Sequence, residues 1–112
     1  KRLYNLGIYP AWWKIEAQSA ADWKKLDELI EERDPYCRGV VLLGLNASAE
    51  FLADGFKQAS QSTTCRGFAV GRTIFQEPSK AWMAGEIDDE TLIQRVQATF
   101  EQLITAWRSA RN

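Results

Sequence analysis

The chain has 112 residues, 46% of them apolar and 12% aromatic, which is enough for one domain with a hydrophobic core. Its 14 basic and 15 acidic residues give a formal net charge of -1, which excludes the positive field that holds nucleic acid or an anionic membrane. No apolar run reaches the roughly 20 residues of a bilayer span and no signal segment opens the chain, so we expect a cytoplasmic protein.

The residue types available for chemistry are limited, because the chain contains no histidine. Ser-His and Cys-His catalysis and histidine metal sites are therefore excluded, which leaves Lys, Asp, Glu, Arg and Tyr. Cys37 and Cys65 lack the C-x-x-C spacing of a metal or redox motif, and we interpret them as reduced structural thiols. We expect neither a metal nor a cofactor.

The first predicted elements are the end of a helix and a strand. Residues 1–6 predict a helix that stops at Gly7, so we expect the architecture to begin upstream of this chain. Residues 11–17 alternate in polarity, which predicts a strand with Lys14 and Glu16 on one face.

Two further strands are predicted, each followed by a helix. A capping pattern at Ser19 predicts a helix over 20–33, and the continuous apolar run 39–45 predicts a strand covered on both faces. A helix is expected after Ser48, and residues 67–75 start as a third strand. The predicted buried stripe of the helix after Ser48 is Phe51, Leu52, Phe56 and Ala59.

The last third of the chain is predicted to be helical. A short helix is expected from Pro78 to a break at Gly85, and a long final helix begins at Asp88 or Asp89. The predicted stripe of that final helix is Leu92, Val96, Phe100, Leu103, Ile104 and Trp107. Strands recurring about every 26 to 29 residues, each followed by a helix, are typical of a parallel α/β sheet. Three such strands form either a small doubly wound sheet or part of a larger fold.

Ligands of parallel α/β folds bind at the carboxyl ends of the strands, which here carry a lysine near a carboxylate. Lys14, flanked by Trp13 and Ile15 on its strand, is expected to be desolvated, which favours the neutral amine that attacks a carbonyl. Glu16, two residues on, could hold the ammonium or transfer a proton. The alternative is that Lys14 and Glu16 face solvent on an exposed or edge strand.

The other two strand ends carry a candidate phosphate site. Gly71 offers an unobstructed backbone N–H beside the guanidinium of Arg72, and Gly44 ends the neighbouring strand. The helix from Pro78 is expected to point its positive end at the same place. Trp12, on the same strand face as Lys14, is a candidate wall of the substrate pocket. Glycines at strand ends are also ordinary turn residues, which is the alternative here.

Three segments, YPAWWKIEAQ, VVLLGLNA and RGFAVGRTIF, carry a resemblance along essentially the whole chain. They resemble the C-terminal domain of unknown function that bacterial inositol catabolism fuses behind a ribokinase-like 5-dehydro-2-deoxygluconokinase. That domain is similar in turn to class I aldolase barrels of the tagatose-bisphosphate type. The resemblance implies that Lys14 is the imine-forming lysine and that Gly44, Gly71 and Arg72 bind phosphate.

The fold implied by the resemblance is the last three β-α units, strands 6 to 8, of a TIM (β/α)8 barrel. Residues 1–112 would form a single partial-barrel domain, the C-terminal fragment of a larger protein, inactive when isolated from the carboxylate and second lysine of earlier strands. The implied substrate is 6-phospho-5-dehydro-2-deoxy-D-gluconate, which an aldolase cleaves to dihydroxyacetone phosphate and malonate semialdehyde. The alternatives are a non-catalytic sugar-phosphate-binding or regulatory module of the kinase, or a structural domain.

An incomplete barrel has consequences for association. Three strands cannot close a barrel, so the strand face that carries Val40 and Val70, or its opposite, would lie open, as would two strand edges. We expect a homo-oligomer that buries this face or an edge. The expected partners are therefore a phosphorylated sugar acid and a second copy of the chain, without nucleic acid or membrane.

Overall fold

The structure, a computed structural model, describes all residues from Lys1 to Asn112. It is a small α/β domain with one three-stranded sheet and five helices. The elements in chain order are α1 (Arg2–Asn5), β1 (Trp12–Ile15), α2 (Ala20–Arg33), β2 (Gly39–Leu43), α3 (Ala49–Gln58), β3 (Cys65–Ala69), α4 (Arg72–Met83) and α5 (Asp89–Ala110). None of these helices combines the length and the hydrophobicity needed to cross a membrane.

The strands form an open parallel sheet in the order β1-β2-β3. The predicted parallel α/β arrangement is present, but the prediction of a partial TIM barrel is wrong, because the chain builds an open three-stranded sheet with two consecutive helices after its last strand. The physical reason is that a β-α repeat specifies parallel neighbours and not closure. An open sheet satisfies the same periodicity as a segment of a barrel.

The two faces of the sheet differ in what covers them. Val40 and Leu42 of β2 are fully buried, whereas Val41 and Leu43, which point to the opposite side, are only partly buried. The side packed on the helices, here called the covered face, carries Trp13, Ile15, Val40, Leu42 and Phe68. The other side, the open face, carries Trp12, Lys14, Val41, Leu43 and Ala69. The prediction that strand two is covered on both faces is therefore wrong for the open face. The predicted homo-oligomer contact on that face stays a prediction.

Local sequence signals explain most of the helix boundaries. The hydroxyl of Ser19 accepts a hydrogen bond from the backbone N–H of Asp22, and α2 then runs to Arg33, as predicted. Asp88 caps α5 in the same way through the N–H of Thr91. Gly7 has a φ of +76°, the left-handed conformation that favours glycine after a helix.

Three local predictions are wrong. Phe100, predicted to lie in the buried stripe of α5, is 45% exposed. Residues 72–75, predicted to continue the third strand, instead form the first turn of α4, which includes Pro78 in its interior. Phe51, predicted to lie in the buried stripe of α3, is 61% exposed, whereas Leu52 and Phe56 are fully buried. In each case hydrophobic residues fit a buried strand or a buried helix stripe in the sequence. The direction of the chain and the packing of the helices decide which of these residues are buried.

The amino end of the sheet is closed by a polar network around Asp27. The buried carboxylate of Asp27 accepts hydrogen bonds from the hydroxyls of Ser62 and Thr64 and from the backbone N–H groups of Thr63 and Thr64. These residues form the turn that leads into β3, so one side chain of α2 fixes where that strand begins. The helical periodicity of the sequence did not predict this network, because Asp27 interrupts the apolar stripe of its helix.

Candidate functional site

A cleft of about 360 Å³ lies at the carboxyl end of the sheet. It brings together four of the six predicted site residues, namely Lys14, Gly44, Gly71 and Arg72. The last residues of β2 and β3, the loops that follow them and the first turn of α4 form its other walls: Leu43, Leu45, Asn46, Ala69, Val70, Thr73 and Phe75. The cleft therefore has two cationic side chains and no carboxylate.

Lys14 reaches the cleft from the open face of the sheet. In the strand register it lies beside Val41 of β2, and Val41 lies beside Gly67 of β3. Its side chain is exposed, so the predicted desolvation between Trp13 and Ile15 is wrong. The reason is strand alternation: those two side chains point to the covered face, whereas Lys14 points away from them.

The amino end of α4 forms one wall of the cleft. The helix begins at Arg72 with Gly71 as its N-cap, and no side chain caps it. Because the first N–H groups of a helix have no partner within it, those of Arg72 and Thr73 are free to bind an anion, aided by the helix dipole, whereas the N–H of Ile74 already donates to the carbonyl of Gly71. The predicted helix dipole at the phosphate site is thus supplied by a helix that starts six residues before Pro78.

The two glycines of the site stand where the chain makes close approaches. A Cβ atom at Gly44 would lie 2.9 Å from Cγ1 of Val70, so a side chain at residue 44 would force Val70 at the end of β3 to shift. A Cβ at Gly71 would lie 3.0 Å from the ring of Phe75. Both positions therefore shape the cleft besides exposing backbone N–H groups.

Glu16 and Trp12 lie outside this cleft. Glu16 lines a neighbouring depression of about 550 Å³ that shares Leu43, Gly44 and Leu45 with the cleft but has no cationic residue. Trp12 stands at the opposite end of its strand, paired with Gly39 at the amino end of the sheet. The structure therefore does not bring Glu16 to the amine of Lys14 in one cleft, and Trp12 does not form its wall.

The loop between β2 and α3 contributes features that sequence reasoning missed. Leu45 and Asn46 have φ angles of +43° and +64°, both in the left-handed region, which asparagine tolerates but which is unfavourable for leucine. The hydroxyl of Thr73 donates a hydrogen bond of 2.8 Å to the carbonyl of Ala47 in the same loop. Asn after a strand signals a turn, but Thr73 gave no signal because its segment was predicted to be a strand.

Neither cysteine lines the cleft, and the Cys65 thiol is disfavoured as a nucleophile. Both thiols are free, and Cys65 is buried beneath the helices. Burial raises the pKa of the Cys65 thiol, which disfavours the reactive thiolate even though the guanidinium of Arg111 acts in the opposite direction. The prediction of structural thiols agrees with this placement. The chain also has no group of three or more acidic, cysteine or histidine side chains able to hold a metal ion.

Comparison with known proteins gives one match. The model of the family described as "Uncharacterized protein conserved in bacteria (DUF2090)" matches residues 1–111. No curated protein and no solved structure matches the chain.

Proposed function

Because the chain belongs to the bacterial DUF2090 family, whose members are described as uncharacterized, we propose its function from the cleft. The cleft binds the phosphate of a phosphorylated keto sugar acid, and the amine of Lys14 forms a Schiff base with the ketone of that ligand. The reaction is that of a class I aldolase on 6-phospho-5-dehydro-2-deoxy-D-gluconate in myo-inositol catabolism, linked to 5-dehydro-2-deoxygluconokinase. The two free thiols support a reducing, cytoplasmic setting for this activity.

The observation that carries the proposal is the convergence of Lys14, Arg72 and the uncapped start of α4 in one cleft without a carboxylate. A phosphate needs several N–H donors and a cationic partner, which the first turn of α4 and the guanidinium supply. A ligand anchored there extends towards β1, where Lys14 is the nearest group of the cleft that can react with a carbonyl. The absence of acidic side chains favours a ligand with more than one negative charge.

The proposed covalent step uses only groups of this chain and the ligand. The neutral amine of Lys14 attacks the ketone carbon, and the resulting carbinolamine loses the former carbonyl oxygen as water to give the imine. Protonated, that imine accepts the electron pair of the bond between its α- and β-carbons: the bond breaks as the β-hydroxyl gives its proton to solvent, which leaves an enamine on Lys14 and an aldehyde as the first product. Exposure of Lys14 to solvent in the free protein provides a route for the proton that the ammonium must release first.

Borohydride trapping tests the proposal directly. The full-length natural protein is incubated with the phosphorylated keto sugar acid and reduced, so that hydride delivered to the imine carbon leaves a stable secondary amine. We expect a mass increase mapped to Lys14 and abolished by Lys14→Ala. The control is Lys57→Ala, which removes an exposed lysine of α3 far from the strand ends and should trap normally. Normal trapping by Lys14→Ala would refute the Schiff-base assignment.

The second candidate is a non-catalytic sugar-phosphate-binding or regulatory module of the carbohydrate kinase. One observation favours it: Glu16, the predicted proton-transfer group, lines a different depression from Lys14. In that case the sugar phosphate still protects the protein against thermal unfolding, but borohydride leaves no adduct. The two measurements together separate the candidates, and absence of both effects would exclude them together.

A further inference from the structure

The loop of residues 44–48 at the cleft adopts a conformation that its sequence does not favour. Leu45 and Asn46 are two consecutive non-glycine residues with positive φ angles. Asparagine tolerates the left-handed region through its short polar side chain, but leucine does not. Such a conformation persists only where surrounding contacts hold it, and it is found most often at ligand sites.

Two hydrogen bonds hold this loop. Within it, the N–H of Ala47 donates to the carbonyl of Gly44 at 2.8 Å and closes the turn. From outside, the hydroxyl of Thr73 donates to the carbonyl of Ala47, also at 2.8 Å. Thr73 belongs to the first turn of α4, so its hydroxyl joins the loop after β2 to the helix that provides the proposed phosphate site.

The position of Asn46 depends on that turn. With the turn closed, Asn46 lines the cleft together with Arg72 and Thr73. A side-chain amide can both donate to and accept from the hydroxyl or carboxylate oxygens of a sugar acid. If residues 45 and 46 relaxed to negative φ angles, the direction of the chain at Asn46 would change and the amide would leave this wall.

We infer that Thr73 is a positioning residue: its hydroxyl holds the loop of residues 44–48 in the left-handed turn that presents Asn46 to the ligand. The inference rests on the proposed phosphate site. It adds a specificity group on the β2 side of the cleft and names the bond that fixes it. The residue is not catalytic, since it acts through the backbone of Ala47.

The experiment compares two Thr73 variants of the full-length chain by amide hydrogen exchange without ligand and by titration with the phosphorylated keto sugar acid and, as reference, with inorganic phosphate. Thr73→Val removes the hydroxyl at nearly constant shape, and Thr73→Ser keeps it. In Thr73→Val we expect the Ala47 amide to exchange about two- to tenfold faster, the range of one lost hydrogen bond, and the phosphorylated keto sugar acid to bind several-fold more weakly, with a smaller loss for inorganic phosphate, which does not reach Asn46. Thr73→Ser should restore both values.

A matched control removes a threonine hydroxyl elsewhere. Thr99 of α5 also donates to a backbone carbonyl, that of Arg95, and Thr99→Val should change neither the Ala47 exchange nor the phosphate affinity. Asn46→Ala should weaken binding of the phosphorylated sugar acid while leaving the Ala47 exchange unchanged.

Unchanged Ala47 exchange in Thr73→Val would overturn the inference, and so would faster exchange with undiminished affinity for the phosphorylated keto sugar acid. Failure of phosphate to bind the unaltered protein would instead overturn the proposed function. In that event the exchange rates alone would still decide whether Thr73 holds the loop.

Discussion

The two ends of the sheet are built on opposite principles. At the amino end, the carboxylate of Asp27 satisfies two hydroxyls and two backbone N–H groups in a buried network. At the carboxyl end, no side chain caps the first turn of α4, and the loop after β2 contains a leucine, Leu45, in the left-handed conformation that is unfavourable for it. A satisfied polar network contributes stability, whereas free donors and strained backbone are retained where a ligand can use them.

The same contrast appears in the charges. The acidic side chain at the amino end, that of Asp27, is buried in a hydrogen-bond network. The cationic side chains at the carboxyl end, those of Lys14 and Arg72, are exposed and line a cleft. We therefore expect substitutions at the amino end to change mainly the free energy of unfolding. Substitutions at the carboxyl end should change mainly ligand affinity.

The largest effect is expected from Asp27→Ala. This change leaves the buried hydroxyls of Ser62 and Thr64 and the N–H of Thr64 without their acceptor, and we expect a loss of about 3 kcal/mol in the free energy of unfolding. Urea denaturation measures it. The matched control is Asp54→Ala, which truncates an exposed aspartate of α3 and should leave the denaturation midpoint nearly unchanged. Equal midpoints for the two variants would show that the network contributes no stability.

Acid is expected to destabilise the hydrogen-bond network of Asp27, at the amino end of the sheet, before it affects the carboxyl end. Burial alone raises the pKa of Asp27, but hydrogen bonds from Thr64, Ser62 and Thr63 outweigh it and hold the pKa below the ordinary 3.8. The folded protein therefore binds this proton less readily than the unfolded chain. The stabilisation is fully present above the unfolded value of about 3.9 and is lost as the pH falls through the folded value.

Asp27→Asn tests this pH dependence, because it removes the titrating group and retains an oxygen acceptor. We expect the variant to be less stable than the unaltered protein near neutral pH, and the difference between them to shrink as the pH falls below about 4. Thermal denaturation at a series of pH values gives both curves. A constant difference across the acid range would mean that Asp27 does not titrate differently on folding.

At the carboxyl end, Arg72→Ala should weaken the binding of phosphorylated ligands. A charge-assisted contact contributes roughly 1.5 to 3 kcal/mol, and because the guanidinium is exposed we expect the lower limit, about a tenfold loss of affinity. Arg66 provides the comparison, since it is an exposed arginine of β3 at the other end of the sheet. Calorimetric titration should show normal affinity for Arg66→Ala. An equal loss for unphosphorylated analogues in Arg72→Ala would make Arg72 a structural residue.

The elements that were predicted well are those whose ends are marked by capping or helix-stopping residues close by in the sequence. The bounds of α2 follow from the cap at Ser19 and the Asp34-Pro35 stop, and the start of α5 follows from Asp88. The start of α4 was missed because Arg72–Phe75 continues a β-like apolar pattern, and Pro78 indicated a helix start rather than an interior position. Only the packing of α4 on α5 resolves that ambiguity.

Long-range arrangement accounts for the remaining differences. The carboxyl ends of parallel strands lie at the same edge of a sheet, and this rule predicted correctly that Lys14, Gly44, Gly71 and Arg72 share one cleft. It could not place Glu16, which follows the last residue of β1 and turns towards the β2-α3 side. Sheet closure was likewise beyond the sequence, since the β-α repeat is the same in an open sheet and in a barrel.

The smallest predicted effect tests whether the carboxyl end is strained. Leu45 is 61% exposed and has a φ of +43°, so glycine at this position loses little packing and removes a left-handed conformation that costs an L-residue about 1 to 2 kcal/mol. The greater freedom of glycine in the unfolded chain offsets roughly 0.5 to 1 kcal/mol of that. Leu45→Gly should therefore raise the free energy of unfolding by about 0.5 kcal/mol, measurable as a small increase in melting temperature. Asn46→Gly should gain less, because asparagine already tolerates its conformation. A clear loss of stability in Leu45→Gly would mean that the leucine side chain packs on the loop, and that the carboxyl end is held by contacts as firmly as the amino end.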